Sequence, residues 1–322
     1  MKANKLNFQP FPGLSSNHLQ MILPNVRPLL FEKSPPSKEC LIKLEDDAYL
    51  SCKISSPPNR KENSPTVILV HGMGGSDSST YMIRMSKKLY LNKIQSLRVN
   101  LRGSGPGKNL SKLPYHAGNS GDLLKVVQFL KDQEPNREII IIGVSLGGNI
   151  TLKLAGELKS EAKKWVKHFI AVCPPLDLAQ TVKTILEKQN RFYHSFYLNS
   201  ISRQAKKFLP GKISSLYEFD DLVTARLWGY KGADEYHHEC SCIRVLQHID
   251  QSTHLLFAYD DPFIRFDHLE KIDLPSALHV YTTKQGSHVG FLGKVPHSKS
   301  PYWMDHLLLN WVNEDFTSNL SL

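Results

Sequence analysis

Ser145 lies between Gly143 and Gly147 in the stretch GVSLGG, residues 143–148, directly after the apolar run EIIII. The pattern is G-x-S-x-G. Where it ends a strand and opens a helix, the turn is so sharp that it lifts the serine hydroxyl clear of the backbone. Glycines two positions to either side let the chain pass without side-chain collision. A serine hydroxyl is a weak nucleophile at neutral pH, so it needs a base, and the base needs an orienting partner. On such a scaffold the acid and the histidine follow the serine in chain order. AYDDPFIR offers Asp260 and Asp261, and KQGSHVGF offers His288. Asp261 is preferred because Asp-Pro leaves a strand and begins a turn, which lets its carboxylate point across the sheet edge. Asp260 is expected to point away or cap the turn, and Asp177 is a weaker rival. The bland alternatives are a turn-forming Asp261 and a locally satisfied His288.

Acyl transfer also needs donors for the developing oxyanion. The amide of Leu146, just after the serine, is one candidate. Met73 in the loop HGMGGS, residues 71–76, is the other, with glycines that let the backbone approach closely. No Gly-Lys-Ser/Thr follows that loop, so it does not read as a phosphate loop. YHHEC, residues 236–240, with Cys242 has metal-capable side chains, but no standard zinc spacing. Neither a metal nor a cofactor is expected. Arg102 reads as a loop brace and His71 as the organiser of its own loop. The aromatic run RFYHSFYL, residues 191–198, reads either as pocket lining or as cap core.

These residues need a scaffold that gathers them. TVILVHG, IQSLRVNLRG, REIIIIGVS, HFIAVCPP, HLLFAYDD and ALHVYTTKQGSH read as strands, and amphipathic helical segments separate the first four. Fully apolar strands alternating with such helices predict an α/β fold: a mostly parallel sheet covered on both faces. Ser145, Asp261 and His288 then follow parallel strands and share one sheet edge. CLIKLEDDAYLSCKIS, residues 40–55, predicts a hairpin, and residues 300–316 a terminal helix. Residues 176–252 break the rhythm and predict a helical cap inserted between two late strands, over the edge where ligands bind. Residues 1–39 read as an irregular N-terminal segment. The whole, 1–322, reads as one domain.

The chain has 40 basic and 30 acidic residues, a net charge of +10. Its basic stretches, 159–167 and 202–212, read as wet helix faces without a nucleic-acid motif, so nucleic acid is not an expected partner. The charge does allow peripheral contact with an anionic membrane surface. Five widely spaced cysteines suggest reduced thiols in a cytoplasmic protein, and no signal peptide or membrane span is evident.

The sequence resembles the YheT-like α/β-hydrolases, bacterial relatives of the eukaryotic ABHD lipases and esterases. The resemblance rests on SSNHLQMILP, HGMGGSDSSTY, VNLRGSG, YHAGNSGDL, GVSLGGNI, CPPLDL, DDPFI and GSHVGF. It rests above all on FDDLVTARLWGYKGADEYHHECSCI, residues 219–243, which lies outside the catalytic motifs. It implies an α/β-hydrolase fold and a triad of Ser145, Asp261 and His288, with no metal at YHHEC.

The expected function is therefore hydrolysis of a small-molecule carboxylic ester through an acyl-enzyme. An acyltransferase with an alcohol acceptor and a membrane-associated lipase or phospholipase are the alternatives. A non-catalytic binding protein is less favoured. The ester and the oligomeric state are not legible in the sequence.

Overall fold

The structure, a computed structural model, describes residues 3–26, 33–205, 208, 211–295, 298 and 300–313. The sheet contains nine strands: β1 (Asn4–Lys5), β2 (Lys38–Lys43), β3 (Tyr49–Ser55), β4 (Thr66–Val70), β5 (Gln95–Val99), β6 (Ile139–Val144), β7 (His168–Val172), β8 (Thr253–Ala258) and β9 (Leu278–Thr283). Their spatial order is β1-β9-β8-β7-β6-β4-β5-β3-β2. The hairpin β2–β3 is antiparallel, and so is the pairing of β3 with β5; the other pairings are parallel.

The isoleucine run shows why this sheet is buried on both sides. Ile139 and Ile141 belong to one core with Val126, Ile150 and Leu154. Ile140 and Ile142 belong to the other with Met85, Leu307 and Trp311. Alternate side chains of a strand face opposite ways, so a continuous apolar run feeds both layers. The helices that supply these partners are α2 (Thr80–Leu91) and α11 (Trp303–Asn313) for one layer, and α3 (Ser120–Gln133) and α4 (Leu146–Leu158) for the other. A one-turn α5 (Ala162–Trp165) leads into β7. The tail of the expected terminal helix, 314–316, lies outside the described residues, as does part of the basic stretch 202–212.

Between β7 and β8 the chain is helical: α6 (Leu178–Ile185), α7 (Arg191–Ala205), α8 (Leu216–Phe219), α9 (Arg226–Trp228) and α10 (Ala233–Cys240). Residues Asp220–Ala225, between α8 and α9, form a π-helical turn, so that 216–228 is one continuous helix with a widened middle.

The N-terminal segment differs from the irregular chain expected. It contributes β1 at the sheet edge and a ten-residue helix, α1 (Asn17–Val26), with Pro24 inside it. Tertiary contacts hold this helix where local propensity is poor. The fully buried Gln20 amide donates to the carbonyls of Leu14 and Leu292 and accepts from the Leu292 N–H.

Candidate active site

The site begins at the turn between β6 and α4. Ser145 has φ 54° and ψ −121°, a conformation that a side chain rarely adopts. Its N–H donates to the Val172 carbonyl, and its own carbonyl accepts from Gly148 and Asn149, which fixes the turn on both sides. A Cβ on Gly143 would lie 2.3 Å from the Gly147 carbonyl oxygen. A Cβ on Gly147 would lie 2.5 Å from the Val70 oxygen and 2.6 Å from that of His71. Both glycines are therefore dictated by close backbone approach.

His288 Nε2 lies 2.9 Å from Ser145 Oγ, and its Nδ1 lies 2.8 Å from Asp261 Oδ2. The other Asp261 oxygen accepts the N–H groups of Phe263 and Ile264. Asp261 and His288 are both buried, and the imidazole packs on the Phe263 ring at a centroid distance of 4.4 Å. Three residues from three strand ends are thus joined by hydrogen bonds, in an arrangement that can move a proton from the hydroxyl to the ring.

The neighbouring acids have other partners. Asp260 turns back to the His288 loop, where its Oδ1 accepts the Ser287 N–H at 2.7 Å. Asp177 caps α6 by accepting the Gln180 N–H. The His288 loop is strained, with positive φ at Ser287, Val289 and Phe291 as well as Gly286. Its geometry is over-determined by Asp260 and by α1, whose Asn17 side chain donates to the Asp260 carbonyl.

Leu146 opens α4, and a first-turn amide has no intrahelical acceptor. On the loop after β4, the Gly72 N–H donates to the Tyr81 hydroxyl and the Gly74 N–H to the Tyr115 hydroxyl, both at 2.9 Å. These two bonds pin the residues on either side of Met73, which lines the space around Ser145. Burial pushes the Tyr115 hydroxyl up to about 12, so it stays neutral. His71 is fully buried, and that burial pushes it down to about 4. Its neutral ring donates from Nδ1 to the Gly72 carbonyl and accepts the Leu101 N–H at Nε2. His71 therefore orders its loop and stands outside the Ser145 chain of hydrogen bonds. Arg102 binds Asp122 through two nitrogens and also reaches Asp46, bracing the loop after β5.

The metal-capable side chains of YHHEC are dispersed. His237 pairs with Asp220, Cys240 faces the Tyr230 hydroxyl and His238 is exposed beside Glu239. Among the described residues, one group has ligating atoms close enough to hold an ion: Cys173, Asp261 and His288. Burial raises the Cys173 thiol well above its ordinary value, which disfavours the thiolate a metal needs, and the other two atoms bond each other.

Two cavities meet at Ser145. An inner one lies between the sheet edge and the cap helices, among Leu178, Ile185, Ile201, Leu216 and Phe263. An outer one is lined by the 72–81 loop, by Met21 and Ile22 of α1, and by Phe192, Tyr193, Phe196 and Tyr197 of α7. The aromatic run thus serves both as lining and as core. The part played by α1 is missed by the sequence reading: residues 15–24 carry part of the family resemblance, but the proline and polar residues of the segment read as irregular chain.

A family model described as alpha/beta hydrolase fold matches residues 65–293. The chain belongs to the α/β-hydrolase fold family. This α/β-hydrolase is similar to the Escherichia coli protein YheT, an esterase candidate, at 26% identity over 96% of this chain and 94% of that one. It is also 26% identical to the monoacylglycerol lipase of Saccharomyces cerevisiae, over 73% of this chain and 58% of the yeast protein. Among solved structures, 2,6-dihydroxy-pseudo-oxynicotine hydrolase superposes with a TM-score of 0.60 at 19% identity, covering 86% of this chain and 68% of that one. It shares the fold. No helix among the described residues is long and apolar enough to cross a membrane.

Proposed function

We propose that this YheT-like α/β-hydrolase is a serine hydrolase that cleaves carboxylic esters. The observation that carries the reading is the continuous chain of hydrogen bonds from Ser145 Oγ through His288 to Asp261. His288 Nε2 takes the hydroxyl proton as Oγ attacks the ester carbonyl. Asp261 holds the ring with its proton on Nδ1 and stabilises the imidazolium. The Leu146 and Met73 amides face the developing oxyanion. His288 then protonates the departing alkoxide, and water hydrolyses the acyl-enzyme by the same route. No cofactor enters these steps.

Labelling with a fluorophosphonate probe tests the reading without knowledge of the substrate. Wild type should label and Ser145→Ala should not. Loss of the nucleophile should lower kcat on any ester substrate by about 10⁴-fold or more. Ester cleavage by Ser145→Ala near the wild-type rate would reject the mechanism.

One observation favours a second reading, a lipase working at a lipid surface. Phe192 and Phe196 line the outer cavity, yet are 64% and 60% exposed. Exposed aromatic rings beside a site opening suit contact with lipid, and the net positive charge suits anionic headgroups. Wild type should then sediment with phosphatidylglycerol vesicles, and a Phe192→Ser, Phe196→Ser variant should not. Equal sedimentation of the two would reject this reading.

A further inference from the structure

The two cavities divide the substrate. His288 lines the outer cavity and Leu146 the inner one, while Ser145 and Met73 line both. In ester cleavage the leaving oxygen must sit by the histidine that protonates it, and the acyl chain extends away from it. On the proposed reaction, the inner cavity is therefore the acyl side.

That cavity has a wall that an alkyl chain does not explain. Asp220, Thr224 and His237 line it together with the apolar side chains of α6 and α7. Asp220 Oδ2 accepts the His237 Nε2–H at 2.8 Å, and its Oδ1 accepts the Thr224 hydroxyl at 3.2 Å. Asp220 and Thr224 stand four residues apart on the 216–228 helix, so they are neighbours on this wall. His237 is 1% exposed, but the Asp220 side chain keeps 19% of its surface open. A pair that served only to tie the cap together would have no need to face the cavity. A carboxylate there has lone pairs to spare, and an alkyl chain that filled the cavity would strip their water without replacing it. A hydroxyl on the chain would replace it.

We infer that the inner cavity selects esters whose acyl group carries a hydroxyl, donated to Asp220 and held in register by Thr224 and His237. This rests on the proposed ester hydrolysis and deepens it. It also gives the 219–243 segment, which the proton-transfer residues leave unexplained, a part in specificity. A hydroxyl costs less to bury beside apolar walls than an ammonium, the other donor class a carboxylate takes.

The test compares kcat/KM for methyl octanoate with a set of methyl hydroxyoctanoates that differ in the position of a distal hydroxyl. Wild type should prefer at least one hydroxy ester by about tenfold or more. Asp220→Asn should bring that ratio close to one. Thr224→Val keeps the side-chain shape and should lower the ratio several-fold, which provides a second route if Asp220→Asn does not fold. A wild-type ratio at or below one at every position overturns the inference. So does an Asp220→Asn variant that slows both esters equally, because a purely structural role would do that. Wild type that labels with fluorophosphonate but shows no hydroxyl preference removes this inference alone. Failure to label removes the proposed function and this inference with it.

Discussion

Asp260 accepts a hydrogen bond from the Ser287 N–H at 2.7 Å, across the gap that the neighbouring residues Asp261 and His288 bridge with their side chains. Two successive aspartates therefore hold one loop in two ways. Asp260 sets the backbone, and Asp261 sets the ring.

This arrangement separates the two acids by experiment. Asp261→Asn should lower kcat by about 10³- to 10⁴-fold, because the amide favours the wrong ring tautomer. Asp260→Ala displaces the loop and should cost about 10- to 100-fold in kcat with little change in KM. Asp260→Asn keeps an oxygen acceptor for Ser287 and should restore most of that loss. An Asp260→Ala defect as deep as that of Asp261→Asn, not rescued by asparagine, would reverse the assignment.

The glycines of the turn give a stability prediction. A methyl at position 147 meets two backbone oxygens at 2.5 and 2.6 Å, and backbone yields less readily than a side-chain tip. Gly147→Ala should destabilise the fold by about 1–3 kcal/mol or more, read as a lower urea midpoint. At Gly211 an added methyl would meet nothing within 4 Å, so Gly211→Ala serves as the control. Equal midpoints for the two variants would contradict the close-approach argument.

The strands, the turn at Ser145 and the order of the acid and histidine were legible because each leaves a local trace: a continuous apolar run, a fixed glycine spacing, a short loop after a strand. The N-terminal helix left a mixed trace: Leu19, Ile22 and Leu23 fall at helical spacing, but Pro24 interrupts the pattern. Its proline and polar residues argue for loop, and it is held by Gln20 contacts with residues near 292 that no local pattern announces. Asp220 was visible only as part of a long motif. Its place on the cavity wall comes from the packing of the 216–228 helix around the space at Ser145, a tertiary arrangement that no local periodicity announces. The Asp260 contact depends likewise on a loop fold with several left-handed residues.

Acid should weaken the fold through its buried histidines. Burial holds His71 down to about 4 and His116 down to about 3, from an ordinary value of 6.5; neighbouring Arg102 and Lys153 add to the shift of His116. Above pH 6.5 both rings are neutral in the folded and the unfolded chain, and their contribution is fully present. As pH falls below 6.5 the unfolded chain takes up protons that the folded one refuses. Stability therefore drops between about pH 6.5 and pH 4 through His71, and further toward pH 3 through His116, by on the order of 3 kcal/mol for His71 alone. Urea midpoints measured across that range should fall steadily. A flat profile would mean that these rings are not buried as neutral groups.

The ion pair of Arg84 with Asp305 ties α2 to α11 on the layer opposite α3 and α4. The guanidinium Nε donates to Asp305 Oδ2 at 2.8 Å, with side-chain exposures of 3% and 2%, and the group lies 3.7 Å over the Tyr302 ring. Removing one partner leaves a charge stranded in a dry layer, and the cost is mainly that of the orphan. Asp305→Ala should therefore lose about 3–5 kcal/mol. Replacing both, as Arg84→Met with Asp305→Leu, removes the orphan and should recover most of that loss. The comparison of urea midpoints among wild type, Asp305→Ala and the double variant decides it. A double variant as unstable as the single would mean that the pair itself, rather than the stranded charge, holds the two helices together.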